Sequence, residues 1–229
     1  GPLTFAADLS AMQPQTVTVR AVDDATVEGD SSATISHTVT SADLAYNTPG
    51  VPFSPDSLVT VSVADNDVAY AVAASVAAVL EGDTGSTPIT FTLTRTGGVT
   101  TTASSVDLIW SGGATLGSDY TVSPSGPTIN FGAGRSSANV TVSVSGDFIV
   151  EPDEGITLTL TNPVGPGSGY ITAGSAQTVI TNDDAADVAV SPTSLTVSEP
   201  NMTGVFTIGL TSQPTAEVGR LSVAEGMAS

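Results

Sequence analysis

The sequence predicts an all-β chain folded into antiparallel sandwiches, and three observations carry that expectation. The hydrophobic fraction is 40 % with only 5 % aromatics, and the apolar residues are mainly Val, Ile, Leu and Ala alternating with Thr and Ser, which is strand composition. The 23 Gly and 14 Pro punctuate many short segments. No long run repeats at the 3.6-residue period of a helix. A chain of 229 residues has room for one to three domains.

Taken in order, residues 1–67 carry strand patterns near 3–5, 15–21, 32–40 and 58–64, too few to close a sandwich of about seven strands. From 68 to 184 a full set follows: AYAVAASVAAVLEGD, PITFTLTRT, SSVDLIWSG, a GSDYTVSP corner, PTINFGAG, SANVTVSVSG, GITLTLTN and AQTVITNDD. Residues 185–229 add two further strand patterns, DVAVSPTSLTVSEP and GVFTIGLTSQP, and a weak LSVAEG tail. The expected division is therefore 1–67 as the back half of a sandwich, 68–184 as a complete one, and 185–229 as the front half of another.

Acidic loops lie where strands begin. In GDFIVEPDEGITLTLT, Asp147, Glu151, Asp153 and Glu154 precede a strand whose Ile156, Leu158 and Leu160 share one face. The same arrangement occurs earlier, with Asp23, Asp24, Glu28 and Asp30 ahead of Ile35 and Val39. Each copy leads to a strand ending in a second cluster, Asp65-Asn66-Asp67 or Asn182-Asp183-Asp184, so the structural unit itself is expected to repeat. Two readings of these loops stand side by side: solvated edges that discourage sheet-to-sheet aggregation, or an oxygen-rich cation site.

Charge narrows the partners. With 4 Lys and Arg against 23 Asp and Glu the net charge is −19, which repels phosphates and anionic lipids and favours divalent cations. There is no Cys and a single His, so disulfides are excluded and zinc is disfavoured. Catalytic constellations are lacking as well. Asp83-Thr84-Gly85 reads as a turn, His37 shares strand parity with Ile35 and Val39, and no Gly-x-Ser-x-Gly elbow occurs. Trp110 shares parity with Val106 and Leu108 and reads as a core anchor. Asn139-Val-Thr and Asn201-Met-Thr fit the glycosylation pattern, relevant only to a eukaryotic secretory route. The chain is not expected to be an enzyme. It shows no signal peptide or apolar span of about 20 residues and starts with Gly, so an excised or processed piece is expected, with any export or anchoring signal outside it.

A family resemblance covers the central segment. LEGD (80–83), FTLTRTGG (91–98), GSDY (117–120), INFGAGRSSANVTVSVSGD (129–147), EPDEGITLTLTNP (151–163) and TNDD (181–184) resemble the Calx-beta domain in order and spacing, and the flanking pieces are similar to halves of a more divergent variety. The resemblance implies tandem Ig-like antiparallel β-sandwiches, one complete and two partial, with Ca²⁺ at one end of the sandwich. Carried over by motif position, the implied ligands are Glu81, Asp119, Asp147, Glu151, Glu154, Asp183 and Asp184. Asn182 stands where an Asp is common, so fewer or weaker ions than in the best-equipped members are expected. A second set, Asp24, Glu28, Asp65 and Asp67, would serve the first unit, joined by Glu199 of a neighbouring copy if molecules complete each other's half-domains head to tail.

Three functions fit these features. The first is a Ca²⁺-stiffened repeat segment of an extracellular or cell-surface protein, an adhesin or filament whose partners are neighbouring copies or modules. The others are a Ca²⁺-sensing module of a membrane transporter and an accessory domain of a secreted hydrolase. Neither nucleic acid nor direct membrane insertion is expected.

Overall fold

The computed structural model describes residues 3–24, 26–37, 41–46, 58–97, 101–165, 167, 169–198 and 203–219. Glu199 and the 221–226 tail lie outside them. In chain order the strands are β1 (Ser31–Ser36), β2 (Leu58–Val63), β3 (Val68–Ala74), β4 (Ala78–Leu80), β5 (Gly85–Gly97), β6 (Ser104–Gly112), β7 (Tyr120–Ser123) and β8 (Thr128–Phe131). They continue with β9 (Ser137–Gly146), β10 (Glu154–Val164), β11 (Tyr170–Ala173), β12 (Ser175–Thr181), β13 (Val188–Ser191) and β14 (Thr207–Leu210).

Strands β3 to β12 form the sandwich, one sheet ordered β4-β12-β10-β6-β8 and the other β11-β3-β5-β9-β7. Alternation makes the two faces. Along β5 burial rises and falls with period two through Ile89, Phe91, Leu93 and Arg95, as it does along β9 through Val140, Val142 and Val144 and along β10 through Ile156, Leu158 and Leu160. The apolar side chains among these meet Val106 in one core, and each buried aliphatic or aromatic group stabilises the fold by about 1.5–3 kcal/mol. Trp110 packs against that core as its parity implies, edge-on to Phe91 at 5.5 Å and tilted against Tyr120 at 6.1 Å.

Two pairings are not antiparallel. β12 runs parallel to β4 (Val179 opposite Ala78) and β11 parallel to β3 (Tyr170 opposite Ala69). The cause is that the first segment of the sandwich changes sheets between Ala74 and Ala78, so both of its halves lie beside strands from the end of the unit. The far end of the core holds Arg95, only 1 % exposed, with its guanidinium 5.5 Å above the Phe131 ring. Its Nη1 donates to the Thr102 carbonyl at 2.8 Å and to Ser104 Oγ at 2.7 Å.

Outside the sandwich the structure departs from the strand expectations. Residues 3–5 and 15–21 are not strands, and a short 3-10 turn, Leu9–Met12, capped by the Asp8 carboxylate, lies between them. The tail's 194–198 segment is also irregular. The physical reason is the lack of a neighbour: a strand forms by pairing, and among the described residues only β1–β2 and β13–β14 pair there, each as an isolated antiparallel two-stranded sheet. His37 is exposed beyond the end of β1.

Truncating the core should report on the central sandwich alone. Leu158→Ala, at a fully buried site, should cost about 2–5 kcal/mol, measured by urea unfolding followed through Trp110 fluorescence. Leu195→Ala, at a residue 48 % exposed in the tail, should leave that transition within about 0.5 kcal/mol.

Candidate metal centre

Strand register determines which loops share an end of the sandwich. Gly85 pairs with Gly146, Tyr120 with Val144, Ile156 with Gly112, Glu154 with Ile180 and Thr181 with Leu80. The turn after β4, the loop before β7, the loop between β9 and β10 and the segment after β12 therefore come together. Close backbone approach tightens the cluster. A Cβ at Gly146 would collide with the Gly82 carbonyl, and one at Gly112, whose φ is +134°, would collide with the Gly155 carbonyl, so glycine is required at both crossings.

Backbone amides hold the carboxylates in place. Asp119 Oδ2 accepts from the Thr115 N–H at 2.6 Å, Asp147 Oδ1 from Ile149 at 2.6 Å and Asp183 Oδ1 from Gly82 at 3.0 Å. Asn182 is the strut between strands: its Oδ1 accepts from the Glu151 N–H at 3.1 Å, its own N–H donates to Asp153 Oδ1 at 3.0 Å, and its Nδ2 donates to the Asp184 carbonyl at 2.9 Å. An Asp at this position could accept from Glu151 but could not donate that last bond. The sequence does not show this role, because it depends on which backbone groups the fold places around Asn182.

The electrostatics tie the implied ligands together. Glu81, 4 % exposed, has its pKa raised to about 7, first by burial and then by the charges of Asp147, Glu151, Asp184 and Asp183. Burial also raises Glu151, with Asp119 and Asp147 adding to it. Glu154 is raised by burial, by the hydrogen bond it shares with Asp119, and by the charges of Asp119 and Glu151. Asp184 is raised by burial and then by Asp83, Asp183 and Asp147. Asp83, which the sequence offered only as part of a turn, thus belongs to the same field.

The donor set fits a hard cation. Asp184 Oδ2 is buried without a hydrogen-bond partner, an arrangement that costs free energy unless something positive neutralises it. The surrounding donors are carboxylate and carbonyl oxygens, the ligand type of Ca²⁺. Among the described residues no three of these side chains already stand as a coordination shell; like charges that repel at short range spread apart, and Asp119, Asp147 and Asp183 each give one oxygen to the backbone.

The first unit's carboxylates serve their own chain. Asp65 accepts from the N–H groups of Asp67 at 2.9 Å, Gly29 at 2.8 Å and Glu28 at 3.1 Å, and these bonds, led by Asp67, hold its pKa below the usual carboxylate value. Asp30 Oδ1 accepts from the Asp65 N–H, and Asp24 Oδ1 from Thr26. Asp67 is 3 % exposed and Glu28 exposed. The structure thus joins Asp65 to the Glu28–Gly29 turn, while Asp24 turns back on its own segment.

A pH dependence follows. Because Glu81 holds its proton more tightly when folded, the folded chain binds more protons than the unfolded one between about pH 4.5 and 7, and stability falls as pH rises through that window. Without divalent ions the central sandwich should be more stable at pH 5 than at pH 8, by on the order of 3 kcal/mol for Glu81 alone. Glu81→Gln should flatten the profile, as thermal unfolding at a series of pH values would read.

Comparison with known proteins agrees with this architecture. The family profile of the Calx-beta domain matches residues 64–185. No curated protein matches the chain. Among solved structures, the apo-form Calx CBD1 domain is 21 % identical over 51 % of this chain and 98 % of its own, with a TM-score of 0.41. CBD12 from CALX1.2 is 21 % identical over 51 % of this chain and 46 % of its own, also at 0.41, and the Calx CBD2 domain is 12 % identical over 50 % and 86 %, at 0.38. The profile spans more than half of the sequence, from the acidic end of the first unit to the acidic end of the sandwich, and on that match the chain belongs to the Calx-beta domain family.

Proposed function

We propose that this chain is a Ca²⁺-binding structural segment of an extracellular surface protein, in which Ca²⁺ rigidifies the junction between successive sandwiches. Glu81, Asp119, Asp147, Glu151, Glu154, Asp183 and Asp184 would hold the ion. Bound Ca²⁺ supplies positive charge that removes the repulsion among them.

One observation carries the reading: the acidic loop touches the next unit directly. Between Asp147 and Glu151, Ile149 forms a parallel bridge with Gln213, and the Gln213 N–H donates to the Phe148 carbonyl. On the other side of the cluster, Asp187 donates its N–H to Thr211 Oγ1 at 2.8 Å, and the Thr211 hydroxyl donates to the Ala185 carbonyl. The chain that follows Asp183 and Asp184 and the loop that contains Asp147 therefore grip the same Thr211–Gln213 segment. Neutralising the cluster would fix both grips at once, and a string of such junctions would behave as a rod. The work would be mechanical: the apolar core holds the sandwich together, and the ion acts at the junction.

The same grips would serve a sensor that passes ion binding to its neighbour, as in a regulatory module of a membrane transporter. Affinity separates the two. A structural ion in a Ca²⁺-rich medium needs a dissociation constant of about 10⁻⁴–10⁻³ M, whereas an intracellular sensor works at about 10⁻⁷–10⁻⁵ M.

Calorimetric titration of the chain with Ca²⁺ should give the weaker range and release protons below pH 7, where Glu81 is partly protonated. Asp183→Ala with Asp184→Ala should weaken binding at least tenfold and leave the β signal in circular dichroism intact. In small-angle scattering the same pair should abolish the Ca²⁺-dependent rise in the radius of gyration. Collapse of the β signal, or unchanged titration, would count against the assignment.

A further inference from the structure

The entrance to the sandwich and its exit are joined to their neighbours in different ways. Asp65 and Asn182 hold corresponding places: each stands just past a strand, β2 or β12, and each has a side-chain oxygen that accepts from the N–H of a glutamate in an acidic loop, Glu28 or Glu151. Beyond that bond they diverge. At the exit, Asp184 Oδ2 is buried without a hydrogen-bond partner. At the entrance, the Asp65 carboxylate takes three amides: Oδ2 accepts from Glu28 at 3.1 Å and from Gly29 at 2.8 Å, and Oδ1 accepts from Asp67 at 2.9 Å. Its own N–H donates to Asp30 Oδ1 at 3.0 Å.

These bonds tie together two separate pieces of chain. The first is the Glu28–Gly29 turn, which comes beside Asp65 because Ser31 opens β1 opposite Val63 at the end of β2. Gly29 turns there with φ +82°, a conformation that glycine adopts without strain. The second piece is the Asn66–Asp67 peptide, which the sandwich encloses. A Cβ at Gly97, the last residue of β5, would collide with the Asp67 carbonyl, and one at Gly167, between β10 and β11, would collide with Asp67 Oδ1 and the Asn66 carbonyl. Asp65 is 8 % exposed and Asp67 3 %.

We infer that the Asp65 carboxylate is a clasp that holds the β1–β2 pair and the central sandwich as one rigid body, with no ion required. Three amide donors meet its buried negative charge as a cation would, and hydrogen bonds to a charged group are the strong ones. The linker peptide, packed on two sides by glycine backbone, has little room to swing. The chain then has one joint that is always stiff and, at Asp183 and Asp184, a second whose stiffness depends on how its charge is met. The clasp stands on the hydrogen bonds and packing of Glu28, Gly29 and residues 65–67, and is independent of ion binding at the exit.

The sequence has no Cys, so spin labels at Thr34→Cys on β1 and Thr94→Cys on β5, both exposed, report the distance between the two bodies by double electron–electron resonance. In chelator the full chain should give one narrow distance distribution, and millimolar Ca²⁺ should leave its centre and width unchanged. Hydrogen exchange in the same chelator should find the Gly29 and Asp67 amides protected. Asp65→Ala should broaden the distribution and speed exchange at both amides by roughly tenfold or more, with and without Ca²⁺. Asp65→Asn should fall between, because only one branch of its side chain accepts hydrogen bonds. Gly167→Ala attacks the clasp from the sandwich side and should broaden the distribution while the Gly29 amide stays protected, which separates a loosened joint from an unfolded β1–β2 pair. Asp183→Ala with Asp184→Ala, at the other joint, should leave the distribution unchanged, and Trp110 fluorescence should be the same in every variant. A distribution that is broad in chelator and narrows only with Ca²⁺, or an Asp65→Ala chain that changes in neither width nor exchange, would overturn the inference.

Discussion

Mutual repulsion among carboxylates at one end of the sandwich is the constraint around which the rest of the unit is arranged. Charges of one sign within a few ångströms oppose the fold unless something else brings their loops together. Here the core does so. Ten consecutive residue pairs join β5 to β9, from Gly85 opposite Gly146 to Thr94 opposite Ser137, and they hold the Glu81 turn against the Asp147 loop. Burial first, and then the charges of neighbouring carboxylates, raise the pKa values of Glu81, Glu151, Glu154 and Asp184. A protonated cluster and a cation-filled cluster are two solutions to the same electrostatic problem, and solution conditions choose between them.

The opposite end solves a different problem. Arg95 is buried among Phe131, Ser104 and the carbonyls of Thr102 and Gly132, so its charge is met by backbone oxygens and an aromatic face. It has the parity of Phe91 and Leu93 on β5, and a cation at that position draws the connecting loops over the core. The crowded carboxylates thus lie at the exit from the sandwich, and Arg95 is sealed near its entrance.

Most of the central unit was legible because burial alternates cleanly. SSVDLIWSG became β6 residue for residue, and PITFTLTRT and SANVTVSVSG became the long strands β5 and β9. Tyr170–Ala173 escaped notice: β11 is four residues long, follows a Gly- and Pro-rich stretch, and exists because β3 offers it a parallel edge. Conversely, residues 3–5 and 15–21 have strand composition but pair with no strand among the described residues, so local propensity had nothing to act on. In the cluster, the carboxylates were visible as residue types, whereas the linking done by Asn182 and Asp153 depends on which backbone N–H groups the fold turns toward them. The same limit applied to Asp65, whose carboxylate is occupied by a turn some 35 residues earlier in the chain.

Entry at one end and exit at the other also determine how the unit would bear tension. A pull on the chain enters at Val68 and leaves at Thr181, along the strand axes. β4 lies parallel to β12 at the exit, with Leu80 opposite Thr181, and β3 lies parallel to β11 at the entrance. Force along such pairs loads their hydrogen bonds together in shear instead of unzipping them one at a time. The two parallel edge pairs therefore act as a mechanical clamp, and yielding requires several bonds to break in the same event.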